Sequence, residues 1–237
     1  MIYNSFYESF IYTEFKSTIM SEIPINEIFY SIQGEGPAMG QPVIFVRSSG
    51  CNRACVGCDT NHSRHEMMTN DRLIFRINEM LSRQNDNCRV VITGGEPFLH
   101  DWKEVMTGIN TRYIDIETNG LIKSNDSEYL EMFRHLVISP KKDSIPSPQD
   151  RRDYFSNWKD LDNVHFKFVI GTQPWMYLQS EIKECIELYE LPTNRIWLMP
   201  GGAERHQLDI SGPMTWKIAM RLGTNYCDRL HIRNKGK

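Results

Sequence analysis

VIFVRSSGCNRACVGCDTNH, residues 43–62, is the stretch from which the architecture is read. VIFVR (43–47) is a short run of β-branched and aromatic residues and reads as a strand. It runs straight into a loop that holds Cys51, Cys55 and Cys58 in the spacing C-x3-C-x2-C. The same succession, an apolar run and then a polar motif, recurs downstream. RVVIT (89–93) leads into GGEP, YIDIE (113–117) into TNG, and HLVIS (135–139) into PKK. HFKFVI (165–170) is a fifth run, and RIWLM (195–199) a sixth that ends in MPGG.

Amphipathic stretches separate several of these runs. DRLIFRINEMLSRQ places Leu73, Ile74, Ile77, Met80 and Leu81 at helical spacing. SEYLEMFRHL and WMYLQSEIKECIELYE read the same way, and MTWKIAMRLG reads as a last helix before the tail. Strands that alternate with helices imply a parallel sheet. A closed eight-fold barrel takes about 250 residues. With 237 residues, and its first 40 spent elsewhere, the chain fits an α/β fold built as an incomplete six-stranded parallel β/α barrel. The segment KKDSIPSPQDRRDYFSNWKD (141–160) is too rich in Pro and Asp for a full helix and is expected to cross over as loop or a short helical turn. Polar motifs at the C-terminal ends of strands occupy the rim where such barrels carry their active sites.

The legible pattern starts with SEIPINEIFYSIQGEG (21–36). Residues 1–25 are therefore read as an N-terminal extension, with Met1 or Met20 as the start, and 26–237 as a single domain. The chain has 27 Lys+Arg against 30 Asp+Glu, a net charge of −3, which argues against a nucleic-acid partner. Its 40% hydrophobic and 24% charged content is that of a globular domain. No apolar run approaches the roughly 18 residues of a membrane span. The first twenty residues lack the basic start and apolar middle of a signal peptide. A cytoplasmic protein with no membrane partner is expected.

Six cysteines are too few for a disulfide scaffold in a chain of this length. Cys88, Cys185 and Cys227 are scattered and read as packing. The clustered three can hold three irons of a [4Fe–4S] cluster and leave the fourth iron open to a small molecule. On the loop alone, a closed zinc site of Cys51, Cys55, Cys58 and His62 competes with that reading. TGGEP (93–97) tips the balance: two glycines allow close backbone approach, and Glu96 offers a carboxylate to a cationic group.

The C-x3-C-x2-C loop followed by GGEP resembles the radical S-adenosylmethionine (SAM) superfamily. Within it, EIFYSIQGEGPAMGQPVIFVRSSGCNRACVGCDTNH (27–62), ITGGEP, ETNG, ISPKK and the closing RLHIRNKG are similar, in order, to the 7-carboxy-7-deazaguanine synthase family. The resemblance runs from about residue 25 to the C-terminus. It implies a lyase that turns 6-carboxy-5,6,7,8-tetrahydropterin into 7-carboxy-7-deazaguanine with loss of ammonia. The reduced cluster of such enzymes cleaves SAM to a 5′-deoxyadenosyl radical that abstracts the substrate hydrogen, and Mg²⁺ assists.

The resemblance also assigns residues. Cys51, Cys55 and Cys58 would hold the cluster, and Thr60 the Mg²⁺. Ile32, Gln33, Gly34, Glu35, Arg47, Thr93, His231 and the carboxylate of Lys237 would meet the substrate, with the C-terminal tail closing over it. Gly57, Asp59, Gly95, Glu96, Asn119, Ser139, Pro140 and Lys141 would meet SAM. Gly57 stands where the superfamily usually has an aromatic residue against the adenine, a loss of about 1–2 kcal/mol of packing. The resemblance further implies a homodimer and an electron donor such as flavodoxin or ferredoxin. A glycyl-radical-enzyme activase shares the cysteine spacing, but it has no reason for QGEG or the terminal RLHI.

Overall fold

The computed structural model describes residues 22–55, 58, 60, 65–145, 147–174 and 176–236. Gly57, Asp59, His62, Lys237 and Met20 lie outside the described residues.

The six apolar runs form six parallel strands: β2 (Pro42–Ser48), β4 (Arg89–Gly94), β5 (Ile114–Thr118), β6 (His135–Ile138), β7 (Val164–Ile170) and β8 (Ile196–Pro200). Three strands extend this set. β1 (Glu22–Ile32) and β3 (Glu66–Thr69) add antiparallel pairings on one side, and the two-residue β9 (Asn225–Tyr226) continues the parallel run on the other. The order β3-β1-β2-β4-β5-β6-β7-β8-β9 leaves β3 and β9 as the two edges of an incomplete barrel.

Among the described residues seven helices connect or follow the strands: α1 (Asn70–Leu81), α2 (Lys103–Gly108), α3 (Ser127–Glu131), α4 (Pro148–Ser156), α5 (Gln179–Tyr189), α6 (Arg205–Leu222) and α7 (Leu230–Arg233). None of the helices among the described residues is long and apolar enough to cross a membrane.

Successive strand side chains point to opposite faces, and that alternation places the site. One face carries Val90, Ile92, Ile116, Leu136, Ile138, Phe166, Phe168 and Leu198 into a single core with Leu73, Ile77, Val105, Phe155 and Ile182 of the helices. The other face carries Thr93, Glu117, Lys167 and, nearer the strand beginnings, Arg89, Asp115, His135 and His165. The apolar half of the pattern packs the helices on, and the polar half lines the inside.

Several expectations change. The boundary read at residue 25 falls inside β1, which begins at Glu22, because Ile23 and Ile25 are buried in the core. Helix α4 runs nine residues through the stretch read as loop. Its proline is at the first helical position, where no backbone N–H is needed. Ser147 Oγ accepts from the Asp150 N–H at 3.1 Å, and the Asp150 carboxylate accepts from the Ser147 N–H at 3.2 Å, a closed capping box. Helix α3 stops at Glu131, since Phe133 turns into the core and β6 begins at His135. Helix α6 starts nine residues before the MTWKIAMRLG segment and carries Pro213 inside it.

Candidate active site

The GGEP segment is fastened to the start of the cysteine loop. β2 and β4 run parallel, with Arg47 opposite Thr93 and Ser48 opposite Gly94. The Gly95 N–H donates to the Ser48 carbonyl at 2.9 Å and the Glu96 N–H to the Gly50 carbonyl at 2.9 Å. Gly94 holds φ +117, and a Cβ there would lie 2.2 Å from the Ser48 oxygen, so only glycine allows this approach.

Glu96 does not offer its carboxylate outward as its position in GGEP suggested. It is fully buried, and its oxygens accept from Thr118 Oγ1 at 2.6 Å, the Asn119 N–H at 2.8 Å and the Phe98 N–H at 3.1 Å. Burial pushes its pKa up, against those hydrogen bonds and the charge of Lys141. The bonds tie GGEP to the TNG turn. Tyr154 donates to the Asn119 carbonyl at 2.7 Å and Trp158 Nε1 to the Gly120 carbonyl at 2.9 Å, so α4 and its C-terminal turn brace the same corner. Asn119 Nδ2 then donates to Asn52 Oδ1 at 2.7 Å, inside the cysteine loop.

Cys51, Cys55 and Cys58 are not joined in disulfides; the first two are half-buried and the third is exposed. The Cys58 N–H donates to the Cys55 carbonyl at 3.3 Å. Arg53 pairs with Asp143 at 2.8 Å and ties the loop to the chain beyond β6. Among the described residues no three His, Cys, Asp or Glu side chains are gathered into a ready-made metal site. The donor set nonetheless suits an iron–sulfur cluster: three thiols, none in a disulfide, on the one loop that follows β2. Ser139, Pro140 and Lys141 follow β6 on the same rim, the Ser139 N–H donating to the Thr118 carbonyl at 2.8 Å. Burial, and then Lys167, lower the Lys141 pKa, while Cys55, Glu35 and Glu117 oppose them.

A charged network stands across the rim from the thiols. Lys167 Nζ donates to Glu35 Oε2 at 2.6 Å and lies 3.6 Å from Glu117 Oε1. Arg229 Nε reaches Glu35 Oε1 at 3.1 Å, and His231 Nε2 lies 3.8 Å from the same oxygen. Glu117 accepts from Gln33 Nε2 at 3.1 Å and from Thr93 Oγ1 at 3.2 Å. Burial works to raise the pKa of Glu35, but Lys167 and Arg229 overcome it and hold the carboxylate well below its usual range. The QGEG turn and the C-terminal segment interlock here. The Leu230 N–H donates to the Gly34 carbonyl at 3.1 Å, and a Cβ on Gly34 would lie 2.5 Å from His231 Nδ1.

The relatives of this chain decide its family. It is 31% identical over 242 residues to 7-carboxy-7-deazaguanine synthase of Halobacterium salinarum, which spans 89% of this chain and 89% of that protein. It is 30% identical over 233 residues to the protein of the same name from Rhodopirellula baltica, across 90% and 86% of the two chains. The chain belongs to the 7-carboxy-7-deazaguanine synthase family. Residues 32–129 match the 4Fe-4S single cluster domain, a span that takes in all three loop cysteines and GGEP. The crystal structure of QueE from Escherichia coli has the same fold, with a TM-score of 0.60 at 21% identity across 87% of this chain and 93% of that one.

Within this synthase-family fold, the rim gathers most of the residues singled out from the sequence. Gln33, Glu35, Thr93 and His231 meet in the charged network. Arg47 Nη1 lies 3.4 Å from Thr60 Oγ1, which is 3.4 Å from the Gly94 carbonyl, and Arg47 Nε is 3.4 Å from Glu27. Ile32 ends β1 half-exposed, opposite Pro42.

Three members of the network were not read from the sequence. Glu117 opens ETNG at the end of a strand, but the motif by itself assigns it no partner. Lys167 was visible as a lone lysine inside an otherwise apolar strand, HFKFVI, a pattern that marks a buried charge needing a partner. Arg229 opens the RLHI motif and was passed over for His231.

Proposed function

We propose that this protein converts 6-carboxy-5,6,7,8-tetrahydropterin into 7-carboxy-7-deazaguanine with release of ammonia, as a radical SAM lyase. The observation that carries the reading is the pairing of two features on one rim. Three thiols stand on the loop after β2, and a carboxylate pair, Glu35 and Glu117, stands on QGEG and β5 of the same rim. Membership of the synthase family supplies the reaction.

Cys51, Cys55 and Cys58 would hold the cluster, which with bound SAM supplies radical hydrogen abstraction. Gly95, Asn119 and the Ser139-Pro140-Lys141 turn line the same side and would orient the amino acid part of SAM; Gly57 and Asp59 belong to this role by motif. Glu96 serves them from behind by fixing GGEP to TNG. Gln33, Glu35 and Thr93 would read the pterin edge. Arg47 would take the substrate carboxylate in a two-pronged pair, and Thr60 beside it would offer an oxygen to Mg²⁺. His231 and the terminal carboxylate of Lys237 would close the site, since α7 is already hooked to the QGEG turn. An electron donor of the flavodoxin or ferredoxin kind, a homodimeric state and a cytoplasmic setting accompany this reading.

Anaerobic turnover tests it. The protein is reconstituted with iron and sulfide and given dithionite, SAM, Mg²⁺ and 6-carboxytetrahydropterin, and the deazaguanine product is followed by mass spectrometry. Product is the expected result. SAM cleavage without product would keep the cluster chemistry and discard the substrate. Zinc copurifying in place of a cluster would overturn the reading.

A further inference from the structure

Lys167 lies at the centre of the rim network, yet no part of the reading above gives it a task. Its side chain is 5% exposed and comes from the middle of β7. Its ammonium bridges two carboxylates from distant parts of the chain, Glu35 of QGEG at 2.6 Å and Glu117 of β5 at 3.6 Å. Through Glu117 it is linked to Gln33 and Thr93. Resting on the substrate reading above, we propose that Lys167 is a positioning residue that keeps Glu35 ionised and aligned with Glu117, so that the site selects a ligand edge rich in N–H donors.

A buried carboxylate favours its protonated form unless cations compensate. At Glu35 burial is the largest influence and Lys167 the largest opposing one, acting both by charge and by hydrogen bond. Other charged and titratable groups face this pocket as well. Arg229 and His231 approach Oε1 of Glu35 from the C-terminal segment. Lys141 acts from the turn after β6, Glu117 from β5, and Cys227 from beyond β9, close to Lys167. Gln33 accepts from the Glu35 N–H at 3.2 Å. Arg229 divides its fork between Glu35 and the Gly202 carbonyl, which it reaches at 2.6 Å. Lys167 reaches both carboxylates.

The chemical consequence is a choice of hydrogen-bond sign. An ionised carboxylate only accepts, whereas a protonated one presents an O–H. With Lys167 in place the rim offers acceptors to whatever docks there. That suits the guanidine-like edge of a 2-amino-4-oxopteridine, with its exocyclic amino group and ring N–H. It penalises a 2-oxo analogue, which would turn an oxygen towards the carboxylates and leave buried acceptors unpaired.

The test uses the reconstituted, SAM-loaded protein and two probes, 6-carboxypterin and its 2-oxo counterpart 6-carboxylumazine, in equilibrium titrations between about pH 5.5 and pH 7.5. The wild type should prefer the 2-amino probe by about tenfold or more, with little dependence on pH. Lys167→Met should lose that preference at the acid end and regain affinity as pH rises, by up to about tenfold per pH unit. Lys167→Arg, which keeps the charge, should retain both properties. Should Lys167→Met fail to fold, Lys167→Gln carries the same expectation. An equal loss for both probes at every pH would assign Lys167 a merely structural role and overturn the inference, as would unchanged binding. A wild type that binds both probes equally overturns it while leaving the pterin reading in place. A wild type that binds neither removes both.

Discussion

Two buried charged networks occupy the inner face of the sheet, one at each end of the same strands. β4, β5 and β7 contribute to both: Arg89 and Thr93, Asp115 and Glu117, His165 and Lys167. At the strand beginnings the network closes on itself. Arg89 grips Asp115 with two prongs, Nε to Oδ2 at 2.8 Å and Nη2 to Oδ1 at 2.9 Å. It also reaches Gln41 Oε1 at 3.1 Å and His135 Nδ1 at 3.0 Å. The His135 N–H donates to Asp115, and Trp197 Nε1 to His165 Nδ1 at 3.3 Å. At the strand ends the carboxylates of Glu35 and Glu117 are balanced by Lys167 and Arg229, but Glu117 keeps 20% of its side chain exposed, on the rim that also carries the thiol loop. A buried charge pair whose fork is filled by its neighbours holds strands together. One that is charge-balanced with acceptor capacity left over is ready to receive a ligand.

Four measurements would break or sharpen that contrast. The largest effect belongs to the open end: Cys51→Ala should abolish cluster assembly and turnover while leaving the fold intact, read by cluster absorbance and thermal melting. If the cluster survives, the thiol loop is not its seat.

The closed end should show the reverse. Arg89→Met leaves Asp115 buried without its main partner and should cost about 3–5 kcal/mol of stability in urea unfolding, with pterin affinity per folded molecule little changed. A variant that kept its stability but lost pterin affinity would erase the distinction between the two ends.

Acid should act on the closed end next. Burial, with His135 and Arg195 nearby, lowers the His165 pKa to about 4 from 6.5. The unfolded chain therefore binds this proton first as pH falls. Stability is complete above about pH 6.5 and drains away down to about pH 4, by about 2 kcal/mol once partial exposure is allowed for. Asp115 adds to the loss in more acid solution, since its pKa, raised by burial but pulled down further by His135 and Arg89, is lower than in the unfolded chain. Urea midpoints across this range check the window, and His165→Gln should flatten its upper part.

The smallest effect lies outside both networks. Ser147→Ala removes one side of the α4 capping box and should cost about 1 kcal/mol. Because α4 braces the TNG turn through Tyr154, a loss of SAM affinity well beyond that cost would show the brace to be part of the site.

The parallel strands were legible because each buries one face against helices, and that requirement writes alternating or continuous apolar runs bounded by turns. β1 was harder: EIPINEIFYSI mixes Asn and Glu among its apolar residues, and only its pairing with β2 and β3 shows Ile23 and Ile25 as core. α4 was hidden by composition, because a proline and two aspartates look like loop until Ser147 and Asp150 are seen to cap one another. The motifs located the rim, but not how Glu96 is held. Its place in GGEP marks it as important without saying that its oxygens turn inward to hold a neighbouring turn.

The sequence by itself determined the parallel strands, the rim on which chemistry would sit, and the thiol loop. These follow from local rules: period, turn residues and the spacing of like ligands along one segment. Tertiary structure alone decided which charges meet. Glu35 and Lys167 are 132 residues apart and Glu35 and Arg229 are 194 apart, yet each pair is in hydrogen-bond contact. A lone lysine in a strand announces that it needs a partner. Only the closure of the sheet and the return of the C-terminal segment over QGEG bring that partner within reach, because Coulomb and hydrogen-bond energies depend on distance in space and are blind to distance along the chain.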